Sequence, residues 1–156
     1  MKKKPAIAIV GTFDTKADEH FFLKNRIEQN GIRSLTINVG TKAPSPSPVS
    51  VDLNELMHQN GRLNYESRDK AIHAMIQEAQ ELIRQLYHDG DICGIISAGG
   101  GTGTHLCTRI MHELPLGFPK IMISTVASRD MTNTVGTKDI MMIHSVADLL
   151  GVNSIS

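Results

Sequence analysis

The sequence has 156 residues, a length that suits one domain, residues 1–156, with a single buried core. Hydrophobic residues make up 40% of it and charged residues 21%, a balance that excludes an intrinsically disordered chain. Sixteen basic residues offset sixteen acidic ones, so the chain lacks the positive field that attracts nucleic acid or an anionic membrane surface. We therefore expect neither direct nucleic-acid binding nor membrane binding.

The cysteines and the first apolar run indicate the cellular compartment of the protein. Cys93 and Cys107 are too few for a disulfide framework, and they lack the spacing of a zinc site. The apolar run over residues 6–10 is too short for a membrane span, and no signal-peptide cleavage site follows it. The prediction is a cytoplasmic protein whose thiols are reduced.

The N-terminal region follows a strand, turn and helix pattern. Residues 6–10 are closed by a glycine, which is typical of a strand buried on both faces. We expect Thr15 to cap a helix that begins at Lys16 and ends at Asn30, where an Asn-Gly pair stops the apolar period. A second buried strand is predicted over residues 34–39.

The middle of the chain combines a proline-rich segment with a strongly periodic one. Three of the six prolines fall within residues 41–51, which predicts a loop or lid, because proline has no N–H donor and a fixed φ. Residues 52–57 fit one or two helical turns. Apolar residues then recur at three- and four-residue spacing from Ser67 until Asp89, which predicts a long helix.

A second strand, glycine loop and helix follow. Residues 92–97 are an apolar run, 98–104 a glycine-rich loop, and 105–113 a segment with helical spacing. The remaining predictions, in chain order, are a strand at 120–124, a polar turn at 125–137, a strand at 140–143 and a helix at 145–150.

The alternation of strands and helices predicts a doubly wound, Rossmann-like α/β domain of three layers. Its sheet should be mainly parallel, because crossover helices make neighbouring strands parallel. Ligands bind such sheets outside the carboxyl ends of the strands. Three loops, residues 11–16, 98–104 and 124–130, each follow a predicted strand, so we expect them to converge on one crevice.

The glycine-rich loop is the strongest functional signal. It supplies backbone N–H groups without Cβ obstruction just before a helix, which suits a phosphate or carboxylate; alternatively, its glycines only permit a tight turn. It lacks the lysine of a P-loop, and Leu106 replaces the last glycine of a dinucleotide fingerprint. No acidic residue ends the second strand to bind a ribose hydroxyl, so a dinucleotide-dependent dehydrogenase is disfavoured.

Polar side chains in the other two loops fit the same class of ligand. Thr12 and Thr15 are suited to hydrogen-bond phosphate and Lys16 to neutralise it. Asp14 suits a metal ion or a sugar hydroxyl. The alternative is a helix-capping turn with a solvated lysine. The third loop supplies hydroxyl groups but no positioned base, so we expect ligand contacts from it rather than covalent catalysis.

Four motifs in a fixed order resemble one protein family. They are GTFDTK at residues 11–16, GGGTGT at 99–104, STVAS at 124–128 and VGTKDI at 135–140. Together they resemble the Tm-one-like ATP-binding family, uncharacterised bacterial and fungal proteins similar to the N-terminal domain of a tomato inhibitor of tobamovirus RNA replication. The resemblance spans the whole chain, but the family's second motif tends to read GGSGGT, so Gly101 and Thr102 depart from it.

The resemblance implies a Rossmann-like domain that binds ATP or a related phosphorylated ligand, with magnesium as a candidate second ligand. It also implies a homo-oligomer, or a second α/β half beyond this one. The residues that it places at the site are Gly11, Thr12, Asp14, Thr15, Lys16, Gly99, Gly100, Gly101, Thr102, Gly103, Thr104, Ser124, Thr125, Ala127, Ser128, Gly136 and Asp139.

The functional expectation is an ATP- or nucleotide-binding domain without an evident catalytic constellation. One alternative is a subunit of an enzyme that acts on a small phosphorylated or carboxylated metabolite, with the same loops holding the substrate. Another is an interaction module whose glycine loop is purely structural.

Overall fold

A single parallel sheet organises the protein. The computed structural model describes residues 4–63 and 67–146. Within these residues the strands are β1 (Ala6–Gly11), β2 (Ser34–Asn38), β3 (Val51–Asp52), β4 (Ile92–Gly99), β5 (Lys120–Ser124) and β6 (Met141–His144). The helices are α1 (Phe13–Gln29), α2 (Leu53–Gln59), α3 (Arg68–His88), α4 (Gly101–Met111) and α5 (Thr132–Val135). The strands all pair in parallel, in the order β3-β2-β1-β4-β5-β6.

This strand order is that of a doubly wound Rossmann-like sheet and confirms the predicted fold class. From β1 the chain moves outwards through β2 to β3, then returns to add β4, β5 and β6 on the other side of β1. Connections between parallel strands are right-handed. The helices that connect strands on one side of β1 therefore lie on the opposite face of the sheet from those that connect strands on the other side. α1 packs against β1, β2 and β4, whereas α3 packs against α2 and α4 on the other face.

The main hydrophobic core lies between the sheet and the layer formed by α3 and α4. Ala8 and Val10 of β1 are fully buried there. The apolar stripe predicted for the long helix lines this core; its buried members are Ala71, Met75, Ile76, Ala79 and Ile83. Burial of one large aliphatic side chain stabilises a fold by about 1.5–3 kcal/mol. This packing fixes the position of α4, and therefore of its first turn, relative to the strand ends.

The helix α1 begins earlier than the sequence predicts. Its first residue is Phe13 rather than Lys16, and Thr12 rather than Thr15 occupies the N-cap position. The N–H groups of Thr15 and Lys16 both donate to the Thr12 carbonyl, at 3.1 and 2.8 Å, which closes a helical turn at that point. Lys16 then departs from helical geometry, with φ −134° and ψ 39°, and kinks the helix. The predicted start at Lys16 therefore corresponds to this kink.

The helix α4 also begins before its predicted start. Its first residue is Gly101 rather than His105, and β4 continues to Gly99, so the predicted glycine loop contracts to a single linking residue. The Thr104 N–H donates to the Gly100 carbonyl at 2.8 Å and opens the helix. Glycine has a low helix propensity, so the pattern of apolar residues does not predict this first turn. In the folded protein, packing of the turn against the strand ends outweighs the low propensity.

Smaller differences concern the segments with the weakest patterns. The two-residue strand β3 lies at the end of the expected loop at 41–51, α2 continues to Gln59, and α5 lies within the expected turn at 125–137. Most of the helix expected at 145–150 falls outside the described residues, and its first two residues are not helical. Within the described ranges, no helix has the length and apolar character needed to cross a membrane.

A buried lysine anchors the amino end of β5. Lys120 Nζ donates to the carbonyls of Pro115 and Phe118 and to Asp139 Oδ1, at 2.7, 2.8 and 2.6 Å. The Gly117 N–H donates to Asp139 Oδ2 at 2.7 Å. The hydrogen bond from Lys120, followed by the one from Gly117, lowers the pKa of Asp139 to about 2. These contacts tie the connector before β5 to the connector before β6.

We expect the Asp139 carboxylate to contribute stability that depends on pH. A carboxyl group whose pKa is lowered on folding stabilises the folded state above its unfolded pKa, about 3.9, and this contribution is lost as the pH falls towards the folded value. Asp139→Asn should therefore lower the free energy of unfolding at neutral pH. The difference from the unmodified chain should shrink as the pH falls from about 4 to about 2.

Urea denaturation across this pH range measures the effect. Asp91→Asn changes an exposed carboxylate outside the Lys120 cluster and should alter stability little at any pH. A stability difference for Asp139→Asn that stays constant over the whole range would contradict the prediction.

Candidate functional site

A cleft lies at the carboxyl edge of the sheet, between the ends of β1 and β4, where the strand order reverses. We call it the switch-point cleft. Its cavity has a volume of about 280 Å³. The residues that line it are Thr12, Asp14, Thr15, Lys16, Thr41, Lys42, Arg68, Gly100, Gly101, Thr102, Gly103 and Leu106. The first two predicted loops therefore converge as expected, and they are joined by residues after β2 and at the start of α3.

The two helices that begin at the cleft have no side-chain cap. Thr12 and Gly100 occupy the N-cap positions of α1 and α4, and neither supplies a capping hydrogen bond from its side chain. Two other helices do have one: Asp52 accepts from the Glu55 N–H in α2, and Ser67 accepts from the Lys70 N–H in α3. The first N–H groups of a helix have no helical partner, so the start of α4 offers donors and a positive dipole end to an anion.

The glycines of the second motif have different roles. A Cβ on Gly99 would lie 3.1 Å from Gly103 Cα, so the glycine pair lets α4 begin directly against the end of β4. A Cβ on Gly103 would point towards Thr12 Oγ1, 4.0 Å away across the cleft, whereas one on Gly101 would meet nothing within 4 Å. Gly99 is therefore needed for packing, whereas Gly103 borders the open space of the cleft.

Three cationic side chains line the cleft. Lys16 Nζ lies 3.8 Å from Glu19 Oε1, and an Arg68 guanidinium nitrogen donates to Thr102 Oγ1 at 2.7 Å. Lys42 makes no ion pair among the described residues. Phosphate and carboxylate groups are bound by such side chains through charge-assisted hydrogen bonds. The cleft therefore combines a helix N-terminus with positive side chains on its rim.

An acidic side chain from α1 lies at the end of β2, although no residue of β2 or of the segment directly after it is acidic. Asp14 of α1 lies against Gly40, where a Cβ would be 2.2 Å from the Asp14 Cγ. Its Oδ2 accepts from the Lys42 N–H at 3.0 Å. Its Oδ1 is buried and has no hydrogen-bond partner among the described residues. This is the region in which dinucleotide-binding sheets place the acid that binds a ribose hydroxyl.

The third motif supports the glycine turn and does not line the cleft. Ser124 is fully buried, and its Oγ shares a 2.6 Å hydrogen bond with Thr104 Oγ1. The Thr125 N–H donates to the Gly99 carbonyl at 3.2 Å. Ala127 is half-buried, Ser128 is exposed, and neither residue is part of the cavity wall.

The fourth motif lies away from the cleft. Asp139 pairs with Lys120 at the amino end of β5, which is the opposite edge of the sheet. Gly136 has a φ of 60°, and a Cβ there would lie 3.8 Å from the His112 ring. The structure therefore gives both residues packing contacts, and it does not bring them to the other predicted site residues.

Comparison with known proteins assigns the family. Residues 5–156 match the model of the N-terminal domain of UPF0261, an uncharacterised protein family. The chain belongs to this family. It is 37% identical over 161 residues to a UPF0261 protein of Clostridium tetani, covering 100% of this chain and 39% of that relative. It is 38% identical over 154 residues to a UPF0261 protein of Rhizobium meliloti, covering 96% and 38% respectively.

A plant protein is also similar to this UPF0261 chain. The ToMV resistance protein Tm-1(GCR237) of Solanum lycopersicum is 27% identical over 172 residues, covering 97% of this chain and 23% of the plant protein. This similarity confirms the relationship to Tm-1 that the motifs indicate. The names of these relatives specify no ligand, so ATP binding stays a prediction. The chain spans about two fifths of the length of the bacterial relatives it matches.

Two residues that line the cleft, Lys42 and Arg68, are not among those predicted from the sequence. Lys42 lies in the proline-rich segment, and Arg68 is the first residue of α3. Only the folded sheet brings them to the same cleft as Lys16. A signal for Lys42 was available, because it follows the second predicted strand and so belongs to the edge where ligands bind.

A buried histidine supports the kinked turn of the first motif. His20 stacks on Phe13 with ring centroids 4.8 Å apart, and its Nδ1 donates to the Lys16 carbonyl at 2.6 Å. A Cβ on Gly11 would lie 1.9 Å from His20 Nε2, so the glycine makes room for the ring. Burial lowers the pKa of His20, because the charged imidazolium is poorly solvated there. The neutral ring therefore holds the carbonyl of the residue whose side chain reaches the cleft.

The lowered pKa of His20 predicts a loss of stability in mild acid. The unfolded chain takes up a proton as the pH falls below about 6.5, whereas the folded state resists protonation of this histidine. The free energy of unfolding should therefore fall between pH of about 7 and 5. Denaturant unfolding at several pH values should show a shallower dependence for His20→Gln than for the unmodified chain.

The exposed histidine of α4 provides a matched control for this measurement. His105→Gln should leave the pH dependence of stability close to that of the unmodified chain. Equal slopes for His20→Gln and the unmodified chain would show that the buried ring is not the cause.

Proposed function

We propose that the chain is a nucleotide-binding domain that holds the phosphates of ATP in the switch-point cleft. One observation carries the proposal: the uncapped first turn of α4 and the side chains of Lys16, Lys42 and Arg68 border the same cavity. A hydrogen bond to a charged group contributes about 1.5–3 kcal/mol, so a few such contacts are enough for micromolar affinity.

The two sides of the cleft suit different parts of the ligand. Gly101, Thr102 and Gly103 offer backbone N–H groups to one phosphate, in the manner of other helix N-termini. Lys42 lies at the end of β2, on the side where the ribose of a nucleotide binds in Rossmann-like sheets. In this arrangement Asp14, which lines the cleft, accepts a hydrogen bond from a ribose hydroxyl.

Magnesium fits this site as a companion of the phosphates. Among the described residues there is no group of three or more His, Cys, Asp or Glu side chains that could hold a metal ion. Mg²⁺ needs few protein ligands, since it keeps several waters and binds one or two carboxylates together with substrate phosphates. Asp14 is the carboxylate that lines the cleft, and it would hold Mg²⁺ if the ribose lies elsewhere.

We propose binding rather than turnover as the role of this domain. Phosphoryl transfer requires a group that positions an in-line nucleophile. The described residues that line the cleft include no histidine and one carboxylate, Asp14, which is held by the Lys42 N–H. Such a domain would work in the cytoplasm, where ATP is available and free thiols such as Cys93 stay reduced.

A small phosphorylated metabolite is the second candidate ligand. The cavity is at the lower end of the volumes usual for ligand pockets, and Leu106 is the apolar side chain in its wall. A sugar phosphate needs less apolar surface than an adenine base does, and this observation favours the second candidate. Under this alternative the chain is a subunit of an enzyme for such a metabolite.

Calorimetric titration distinguishes these proposals. We expect ATP and ADP to bind with and without Mg²⁺, and ribose 5-phosphate to bind at least about tenfold more weakly, a difference of about 1.4 kcal/mol. Tighter binding of the sugar phosphate would favour the second candidate. Failure of ATP, ADP, NAD and the sugar phosphate to bind would refute an anion site of either kind.

A pair of alanine variants tests the glycine turn. Gly103→Ala places a methyl group between α4 and Thr12, so the affinity for ATP should fall more than about tenfold. Gly101→Ala adds the same group in open space on the same helical turn and should change the affinity little. Alanine is favoured over glycine in helices, so both variants should remain folded. Equal affinities for the two variants would place the phosphates away from this turn.

A further inference from the structure

Within residues 4–63 and 67–146, one half of one sheet face has no helix over it. On the side occupied by α1, that helix packs against β1, β2 and β4, and no other described helix covers this side. The crossovers through α3 and α4 lie on the opposite face, and α5 packs against α4. No helix of the described part of the chain therefore covers β5 and β6 on the α1 side.

The uncovered half of the sheet is apolar. Alternate residues of a strand face opposite sides, and Met122 and Met142 face the core under α4. The residues between them face the other way and lie in register across the strands. We call this group the open apolar face; its members are Ile96, Ile121, Ile123, Met141 and Ile143.

The exposure of these side chains increases towards the edge of the sheet. Ile96, Ile121 and Ile123 are half-buried, whereas Ile143 is 43% exposed and Met141 60% exposed. Parallel sheets are normally covered on both faces, and a contiguous apolar patch on a surface marks an interaction site. The open apolar face contains no charged residue, so it is suited to a large, dry interface rather than to a transient polar contact.

The family supplies the argument for what covers this face. The matched model is that of an N-terminal domain, and the bacterial relatives contain well over half of their length outside the matched segment. The described chain leaves the sheet from β6, the edge strand of the open apolar face, and Val146 is 84% exposed there. In a longer relative, the chain that leads towards the C-terminal part therefore leaves the sheet from the edge strand of this face.

We propose that the open apolar face is the docking surface for the C-terminal part of full-length UPF0261 proteins. The C-terminal part packs on β4, β5 and β6 and completes the missing half of the third layer. The proposal is independent of the nucleotide-binding function, because none of the five residues of the face lines the switch-point cleft.

The test compares the same surface in two contexts. One is the 156-residue chain alone; the other is a chimera in which this chain replaces the matched segment of the Clostridium tetani relative. Hydrogen exchange of the β6 amides should be at least about tenfold slower in the chimera, because docking covers the strand. Ile143→Lys should restore fast exchange in the chimera, since the lysine places a charge in an apolar interface.

Leu116→Lys is the matched control for Ile143→Lys. Leu116 is 68% exposed in the connector before β5, at the opposite edge of the sheet, so this variant should leave the β6 protection intact. Exchange of β6 at the same rate in both contexts would overturn the proposal. So would a dimer of the chain alone that Ile143→Lys dissociates, because the occupant would then be a second copy.

Two further results are decisive. If Ile143→Lys unfolds the chain alone, the face belongs to the core of this domain and the proposal is wrong. If the chimera does not fold, the comparison is made between two other proteins: the full-length Clostridium tetani relative and the segment of it that matches this chain. Hydrogen exchange is then measured in the strand that aligns with β6. Unchanged exchange in that strand would equally reject the proposal.

Discussion

The candidate site depends on a constraint of topology: β1 and β4 are adjacent parallel strands whose following helices leave towards opposite faces of the sheet. The first turns of α1 and α4 therefore diverge, and the space between them stays open. Gly99 then allows α4 to begin close against the strand end, because any Cβ would press on Gly103. The same divergence leaves the first N–H groups of α4 directed at a cavity instead of at protein acceptors.

A buried polar network keeps the other side of the cleft in place. Asn38 Oδ1 accepts from the N–H groups of Phe13 and Gly40, at 3.0 and 2.9 Å, and its Nδ2 donates to Asp52 Oδ1 at 2.9 Å. Asp52 Oδ2 in turn accepts from the Ser45 N–H at 2.6 Å. One asparagine thus connects the start of α1, the end of β2 and the proline-rich segment. Because each polar atom of this buried network has a partner, the network specifies one arrangement of the three elements.

The parts of the fold that the sequence predicts well are those encoded by local patterns. The apolar run of β1 and the helical period from Ser67 need no distant information, and both elements appear where they are expected. The starts of α1 and α4 are shifted because they depend on contacts with strand ends, which outweigh the low helix propensity of glycine. The apolar period of the sequence carries no information about those contacts.

The candidate site is only partly encoded in its motifs for the same reason. Asp14 reaches the end of β2 from another element, and Arg68 reaches Thr102 across 34 residues of chain, so neither placement follows from sequence spacing. Asp139, by contrast, belongs to a motif of the family resemblance, yet it pairs with Lys120 at the far edge of the sheet. A motif indicates which residues a family shares, whereas the fold determines which of these residues lie close together in space.

The third motif connects the cleft with the open apolar face. Ser124 ends β5, one residue beyond Ile123 of that face, and it bonds to Thr104 in the first turn of α4. A protein segment docked over β5 and β6 would therefore lie beside the turn that follows Ser124, at the same edge of the sheet as the cleft. The two surfaces share no residue, so the hydrogen bond between Ser124 and Thr104 is the contact that joins the end of β5 to the first turn of α4.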